Sequence, residues 1–319
     1  MKLYELGERG LIQRSLSNLM IKQDIDDCAL ISRGKYFELI TTDSINQQTH
    51  IPVGASPENI GRFFGAVNLS DIAAMGGIPE YFMAAFNIPS SLDIDFIDKF
   101  ESGLNEILQR YRVEYLGGDS KENSTISFTG ICIGKALKTN TLRRSNIKKG
   151  QIVCVTNALG KKISAYIAYK NGIRTKENAN EIMSIEPRIK EGEIISKNGG
   201  RFMMDLSDGL GSSILQMKKN YGLGFRIVRD QVPIHNHLFH VCQISGIDPY
   251  NAILDYGGDY ELLFSIDNEG SEETAAKLRS MGINFSMIGD VWEGENILFD
   301  GERWNPVNSI GNEHFRTID

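Results

Sequence analysis

Cysteine is scarce: four residues in 319, Cys28, Cys132, Cys154 and Cys242, with no C-x-x-C pair among them. They suit a reducing compartment, and a disulfide-built scaffold is not expected. The expected location is cytoplasmic. No apolar run approaches the length of a membrane span. The opening MKLYELGERG has no apolar core of the kind a signal peptide carries. Positive charge is in deficit, with 34 Lys and Arg against 41 Asp and Glu, a formal net charge of -7. Neither nucleic acid nor an anionic membrane is therefore expected as a main partner. An anionic substrate needs local help from cations or helix N-termini. The chain has no G-x-x-x-x-G-K-[ST] loop and no G-x-G-x-x-G fingerprint, so any nucleotide is held by other means. Short-period repeats and low-complexity tracts are absent too.

Hydrophobic residues make up 41% of the chain and charged residues 24%, the balance of an ordinary globular protein. A length of 319 residues suggests two domains. The first 24 residues read as an amphipathic opening, with Leu11, Ile12, Leu16 and Leu19 at near-helical intervals. Residues 37–42 are strand-prone and run into Asp43. Residues 57–77, PENIGRFFGAVNLSDIAAMGG, read as a helix. Pro57 suits its first turn, and Ile60, Phe64 and Val67 form an apolar stripe. Strands are expected at 81–88, 114–116 and 125–136, with a helix over 92–111. The polar, basic segment 138–150 (KTNTLRRSNIKKG) marks the expected boundary between domains 1–137 and 138–319. Beyond it, strands at 151–156, 202–206, 223–228, 259–266 and 285–288 alternate with helices at 160–170, 187–197, 208–219 and 271–281. Each part is therefore expected to be α/β (α+β).

Acids recur where these elements end. Asp71 lies four residues after Val67 on the same stripe. A carboxylate there costs on the order of several kcal/mol unless a cation or donors compensate it. Asn68 adds a second polar group to that end. Asp26 and Asp27 precede Cys28-Ala29-Leu30. Thr41, Thr42 and Asp43 close a strand. Asp119 follows Gly117-Gly118. Asp205, Ser207 and Asp208 surround a strand-to-helix turn, and Asp259 and Glu261 follow Gly257-Gly258. Singly, each has a structural reading: backbone N–H partners for Asp71, an N-cap for Asp208, turns for Asp119 and Asp259, a solvated turn for Asp26-Asp27. Jointly, hard oxygen ligands beside glycines suit Mg2+ bridging phosphates. His235, His237 and His240 read as a loop or helix face rather than a metal site. Cys28 reads as an unpaired buried thiol, and Lys161 and Lys162 as solvated charges.

The runs DDCAL, TTDSINQQTH, AVNLSDIAAMGG, LGGDS, DLSDGL and GGDYELLF, in this order, resemble the thiamine-monophosphate kinase family. That family belongs to the superfamily of aminoimidazole ribonucleotide synthetase, selenophosphate synthetase and hydrogenase maturation factor E. The likeness reaches to His314-Phe315. It implies a two-domain PurM-like fold, with an N-terminal mixed sheet closing into a barrel with a second copy and a C-terminal α/β domain. It implies a homodimer that phosphorylates thiamine monophosphate to the diphosphate by direct in-line transfer from ATP, with Mg2+. By resemblance, Asp27, Thr41, Thr42, Asp43, Asp71, Asp119, Asp205 and Asp208 match metal-binding positions. Gly118, Asp119, Ser207, and Arg143 or Arg144, match nucleotide contacts. His50 and Asp259 fall on the acceptor side. Asp71, Asp119, Asp208 and the two arginines are the groups expected to be essential to transfer.

The chain departs from the family in two places. Gly258 stands where GGEDYEL has its glutamate, and Gly311-Asn312-Glu313-His314-Phe315 lacks an aromatic ahead of its histidine. Both changes fall on the thiamine side. Two other readings are carried alongside. One is another ATP-using member of the superfamily with a different acceptor. The other is a nucleotide- or metal-binding protein without turnover.

Overall fold

The computed structural model describes residues 2–307 and Phe315. Helix α1 (Leu3–Asn18) is broken at Gly7, where φ is +72°. A five-stranded mixed sheet follows: β1 (Ala29–Arg33), β2 (Tyr36–Asn46), β3 (Ile78–Ile88), β4 (Glu114–Glu122) and β5 (Ser127–Leu137). Its spatial order is β1-β2-β5-β3-β4. Neighbours are antiparallel except β3 and β4. That parallel pair needs a long crossover, which α3 (Ile94–Arg110) provides; α2 (Pro57–Ala74) joins β2 to β3.

The second sheet is also mixed. It comprises β6 (Ile152–Thr156), β7 (Gly200–Asp205), β8 (Gly224–Val228), β9 (Leu262–Ile266), β10 (Phe285–Trp292), β11 (Ile297–Phe299) and β12 (Trp304–Pro306), in the order β12-β11-β8-β10-β6-β9-β7. Its helices are α4 (Lys161–Lys170), α5 (Lys176–Ile182), α6 (Ile189–Lys197), α7 (Leu210–Tyr221), α8 (Asn236–Ser245), α9 (Pro249–Asp255) and α10 (Ser271–Ser280). The expected α/β class holds for both sheets.

Helix α2 starts as its sequence dictates. The Ser56 side chain accepts the Asn59 N–H at 3.4 Å, and Pro57 occupies the first turn. Thirteen of its 18 residues are buried, because it is packed between the first sheet, α3 and α6. The α2–α3 crossing is a backbone contact. A Cβ on Gly61 would lie 2.0 Å from the Phe100 carbonyl oxygen, and one on Gly103 would lie 1.9 Å from that of Glu58. Phe64, Phe82, Phe100 and Phe128 lock both helices to the sheet, with Phe100 and Phe128 stacked at 4.1 Å. On β5, Phe128, Cys132 and Ala136 point into this core. The opposite face carries Ile31, Tyr81, Ile131 and Leu137, each more than a third exposed.

Several elements outrun their sequence signals. Thr41 to Asp43 lie inside β2, which continues to Asn46 with unbroken pairing to β5. Asp119 lies inside β4, not at its end. The ladder absorbs the glycines as a bulge, with Tyr115 opposite Phe82 and Gly117 opposite Met83, and Gly117 at φ +115°. Strands β1, β11 and β12 and helices α5, α8 and α9 are too short or too polar to show a clear period. The expected strand over 259–266 begins only at Leu262. The three histidines lie on the first half of α8, with His235 as its N-cap.

Candidate active site

Because α2 is buried nearly all round, the polar residues in its last turns must find partners. Each finds one outside the helix, on β2 or on β7. Asn68 accepts the Asp43 backbone N–H of β2 at 3.0 Å and donates to the Phe64 carbonyl at 3.0 Å. The Thr41 hydroxyl of β2 donates to the Asp71 carboxylate. The Ser70 hydroxyl donates to Asp205, the last residue of β7, at 2.6 Å. Asn68 fits only because the facing residue on β5 is glycine: a Cβ on Gly130 would lie 2.5 Å from its Nδ2 and 2.8 Å from the Phe82 ring. Gly130→Ala is expected to destabilise the fold by roughly 1–3 kcal/mol through overpacking, read by chemical denaturation.

These contacts bring three carboxylates together from distant parts of the chain. One oxygen each from Asp27, Asp71 and Asp205 lies within 4.8 Å of the others. Asp27 is gripped by the buried Arg144, whose Nε and Nη2 donate at 3.1 and 2.5 Å. Arg144 also donates to Gln216 at 3.2 Å, and its backbone N–H donates to Asp26 at 2.9 Å. Arg143 turns away to Asp26 and Asp24, at 2.8 and 3.0 Å. The basic segment is thus pinned to residues 24–27, with Arg144 beside the acids. A cavity of about 230 Å³ opens here, lined by Glu8, Arg9, Arg144, Asp205, Ser207, Asp208 and Gln216. A larger cleft of about 600 Å³, around Arg229 and Tyr250, contains none of these acids.

The electrostatics follow from crowding like charges in a buried site. Burial, then repulsion from Asp43, Asp205 and Asp27, holds Asp71 well above the usual carboxylate range, against the pull of Thr41. Burial and the charges of Asp208 and Asp27 push Asp43 up to about 6. Burial and Asp27 push Asp205 up to about 7, although the Ser70 hydroxyl opposes this. Burial works against the charge of Arg144, yet Asp27 more than offsets it. Burial, then Asp71 and Asp27, keeps the Cys28 thiol protonated, as expected for an unreactive buried cysteine.

Other expected site residues lie elsewhere. Strand alternation puts Thr41 and Asp43 on the α2 side of the sheet and Thr42 on the other, where its hydroxyl donates to the Gly130 carbonyl at 2.8 Å. Gly118 and Asp119 lie on β4, three strands from β2. Asp119 is exposed and pairs with Lys121 at 3.3 Å. Within one chain it does not join the other acids. The His50 ring shares a hydrogen bond of 2.7 Å with the Thr49 hydroxyl in the turn after β2. The Asp259 oxygens accept the Gly160 and Lys162 N–H groups at 2.6 and 3.1 Å, at the start of α4. Burial raises Asp259 to about 6. Lys162 is not solvated but buried, on Glu181 at 2.8 Å; Lys161 reaches the same carboxylate at 3.1 Å. Two residues escaped the sequence reading. Ser70 had a signal, a hydroxyl in an otherwise apolar helix. Tyr260 had none: its left-handed backbone, φ +53°, turns its ring onto Phe63 at 6.1 Å.

Known proteins resemble this chain in sequence and in fold. The family model "AIR synthase related protein, N-terminal domain" matches residues 25–136, the stretch of the first sheet. The thiamine-monophosphate kinase of Buchnera aphidicola subsp. Acyrthosiphon pisum is 32% identical over 301 residues, spanning 91% of either chain. That of Pyrococcus abyssi is 30% identical, over 91% of this chain and 89% of its own. The chain belongs to the thiamine-monophosphate kinase family. A solved structure described as "AaThiL complexed with AMPPCP and TMP" superposes with a TM-score of 0.87 at 26% identity, covering 98% of this chain and 99% of that one. Against the family's pattern, Gly258 stands at φ +100° with open space where a Cβ would point. Its N–H donates to the Ser207 carbonyl at 2.7 Å, tying this loop to the acidic turn. Gly311, Asn312, Glu313 and His314, the other departure, lie outside the described residues.

Proposed function

We propose that this protein transfers a phosphoryl group from ATP to thiamine monophosphate, giving thiamine diphosphate. The observation that carries the reading is the convergence of Asp27, ahead of β1, Asp71 of α2 and Asp205 of β7, beside a cavity. Membership of the family and the nucleotide analogue named for the neighbouring structure point the same way. The donor set fits a hard divalent cation. Four crowded carboxylates, counting Asp43, face one guanidinium, and burial and mutual repulsion hold three of the four at raised pKa. Asp27, Asp43, Asp71 and Asp205 would hold Mg2+, with Thr41 and Asp208 beside them. When bound, Mg2+ supplies charge neutralisation for the phosphates.

The chain's own groups then bind and orient. Arg144 and Ser207 line the cavity where a triphosphate would lie, at the N-terminus of α7. Phosphoryl transfer depends on positioning more than on a covalent nucleophile. The acceptor oxygen is already anionic, so no residue is assigned to proton abstraction. His50 and Asp259 are the acceptor-side residues of this reading.

The reading includes a homodimer. The uncovered face of the first sheet is apolar at Ile31, Tyr81 and Ile131, and is the face to which Thr42 and Asp119 belong by register. In this arrangement residues 1–137 hold nucleotide and metal and dimerise, residues 138–319 complete the site, and Gly118-Asp119 reaches the site of the partner. Incubation with Mg·ATP and thiamine monophosphate, followed by chromatography, tests the reaction: thiamine diphosphate is expected, and ATP turnover only with another acceptor overturns the assignment. Mixed Asp119→Asn and Asp71→Asn subunits test the dimer. Random pairing is expected to restore about a quarter of wild-type activity, one intact site in each mixed dimer. If Asp119 acts within its own chain, mixing restores nothing.

A further inference from the structure

We infer that Ser70 is a positioning residue that holds the Asp205 carboxylate against Asp71, so that one divalent cation is shared between the two sheets. The inference rests on the metal-dependent reading above. Asp205 ends β7, at the edge of the second sheet, where the β7–β9 ladder stops at Asp205 opposite Leu262. That sheet therefore does little to set the carboxylate's direction. The contact that does is the Ser70 Oγ–Asp205 Oδ2 hydrogen bond of 2.6 Å, between residues that are 0% and 3% exposed. A serine inside a helix has a local alternative, the carbonyl one turn back. Here the hydroxyl spans to the other half of the molecule instead. It occupies one oxygen of Asp205 and leaves the second for a ligand.

Ser70 and Asp71 are consecutive on one rigid turn, so the helix fixes the two carboxylates relative to each other. Without that donor, the charge of Arg144 is left to oppose the repulsion that Asp27 and Asp43 exert on Asp205. Hydrogen bonds to metal-ligating carboxylates commonly matter ten- to a hundredfold in metal affinity.

The test is Mn2+ binding to the full chain without nucleotide, followed by electron paramagnetic resonance. Ser70→Ala is expected to raise the Mn2+ dissociation constant about tenfold or more. The variant's activity deficit should shrink as Mg2+ is raised, moving half-saturation in Mg2+ rather than the thiamine monophosphate KM. Unchanged Mn2+ affinity in Ser70→Ala overturns the inference. A wild-type protein that binds no Mn2+ overturns the metal reading and this inference with it. Should the alanine variant fail to fold, Ser70→Cys carries the test: it keeps the volume but only a weak donor, and wild-type affinity in it likewise overturns the inference.

Discussion

Asp71→Asn is expected to abolish turnover while making the metal-free protein more heat-stable than wild type at pH 8. The two effects have one cause. Asp71 is buried against Asp27 and Asp205, and its pKa is held far above the usual range. Ionising it in the metal-free protein is therefore a cost to the fold. Asparagine keeps the shape and an oxygen to accept the Thr41 hydroxyl, and it removes the repulsion. The same change deletes a ligand charge that the phosphoryl transfer state requires. A loss of at least about a thousand-fold in kcat is expected, roughly 4 kcal/mol of transition-state stabilisation. Chromatographic assay of thiamine diphosphate and thermal melting by circular dichroism read the two effects separately. An active variant removes Asp71 from the site; an inactive but destabilised one gives it a structural role instead.

Thermal stability without metal should fall as pH rises from 5 to 8, and Mg2+ should reverse the trend. Asp43 and Asp205 titrate near 6 and 7 in the fold, against about 4 in an unfolded chain. The folded state thus binds more protons over that interval. Such groups favour folding most below their unfolded pKa, and the advantage is lost as pH passes their folded values. The expected loss is on the order of a few kcal/mol for the coupled set. Surface acids such as Glu106, stabilised as anions chiefly by Arg62, change their contribution mainly below pH 5 and add little slope over this interval. The contribution of the cluster is read as the difference between wild type and Asp205→Asn across pH. Ligands must be deprotonated to bind a cation, so the gain in melting temperature from Mg2+ should be larger at pH 8 than at pH 5. A wild-type curve parallel to that of the variant contradicts the assignment.

How far the sequence was legible depended on the range of the interactions involved. The α2 helix was readable because its cap, its proline and the Ile60–Phe64–Val67 stripe are all near-neighbour features. Asp71 stood out because a carboxylate on that stripe conflicts with its surroundings. Strand β4 was cut short because glycine normally weakens a strand, and the bulge that accommodates Gly117 is set by the partner strand. Asp259 looked like Asp119, an acid after two glycines, yet one caps a helix and the other lies exposed on an edge strand.

The sequence by itself determined the chemistry on offer: hard oxygen ligands, a deficit of cations, two mixed α/β parts and a motif order that marks the family. Only the tertiary structure decided which of those oxygens meet. Asp27, Asp71 and Asp205 converge because a buried helix of one sheet hands Ser70 to the end strand of the other. Thr42 is turned away by the two-residue period of its strand. Periodicity and turn chemistry act over a few residues, whereas convergence depends on packing between segments separated by tens of positions to well over a hundred.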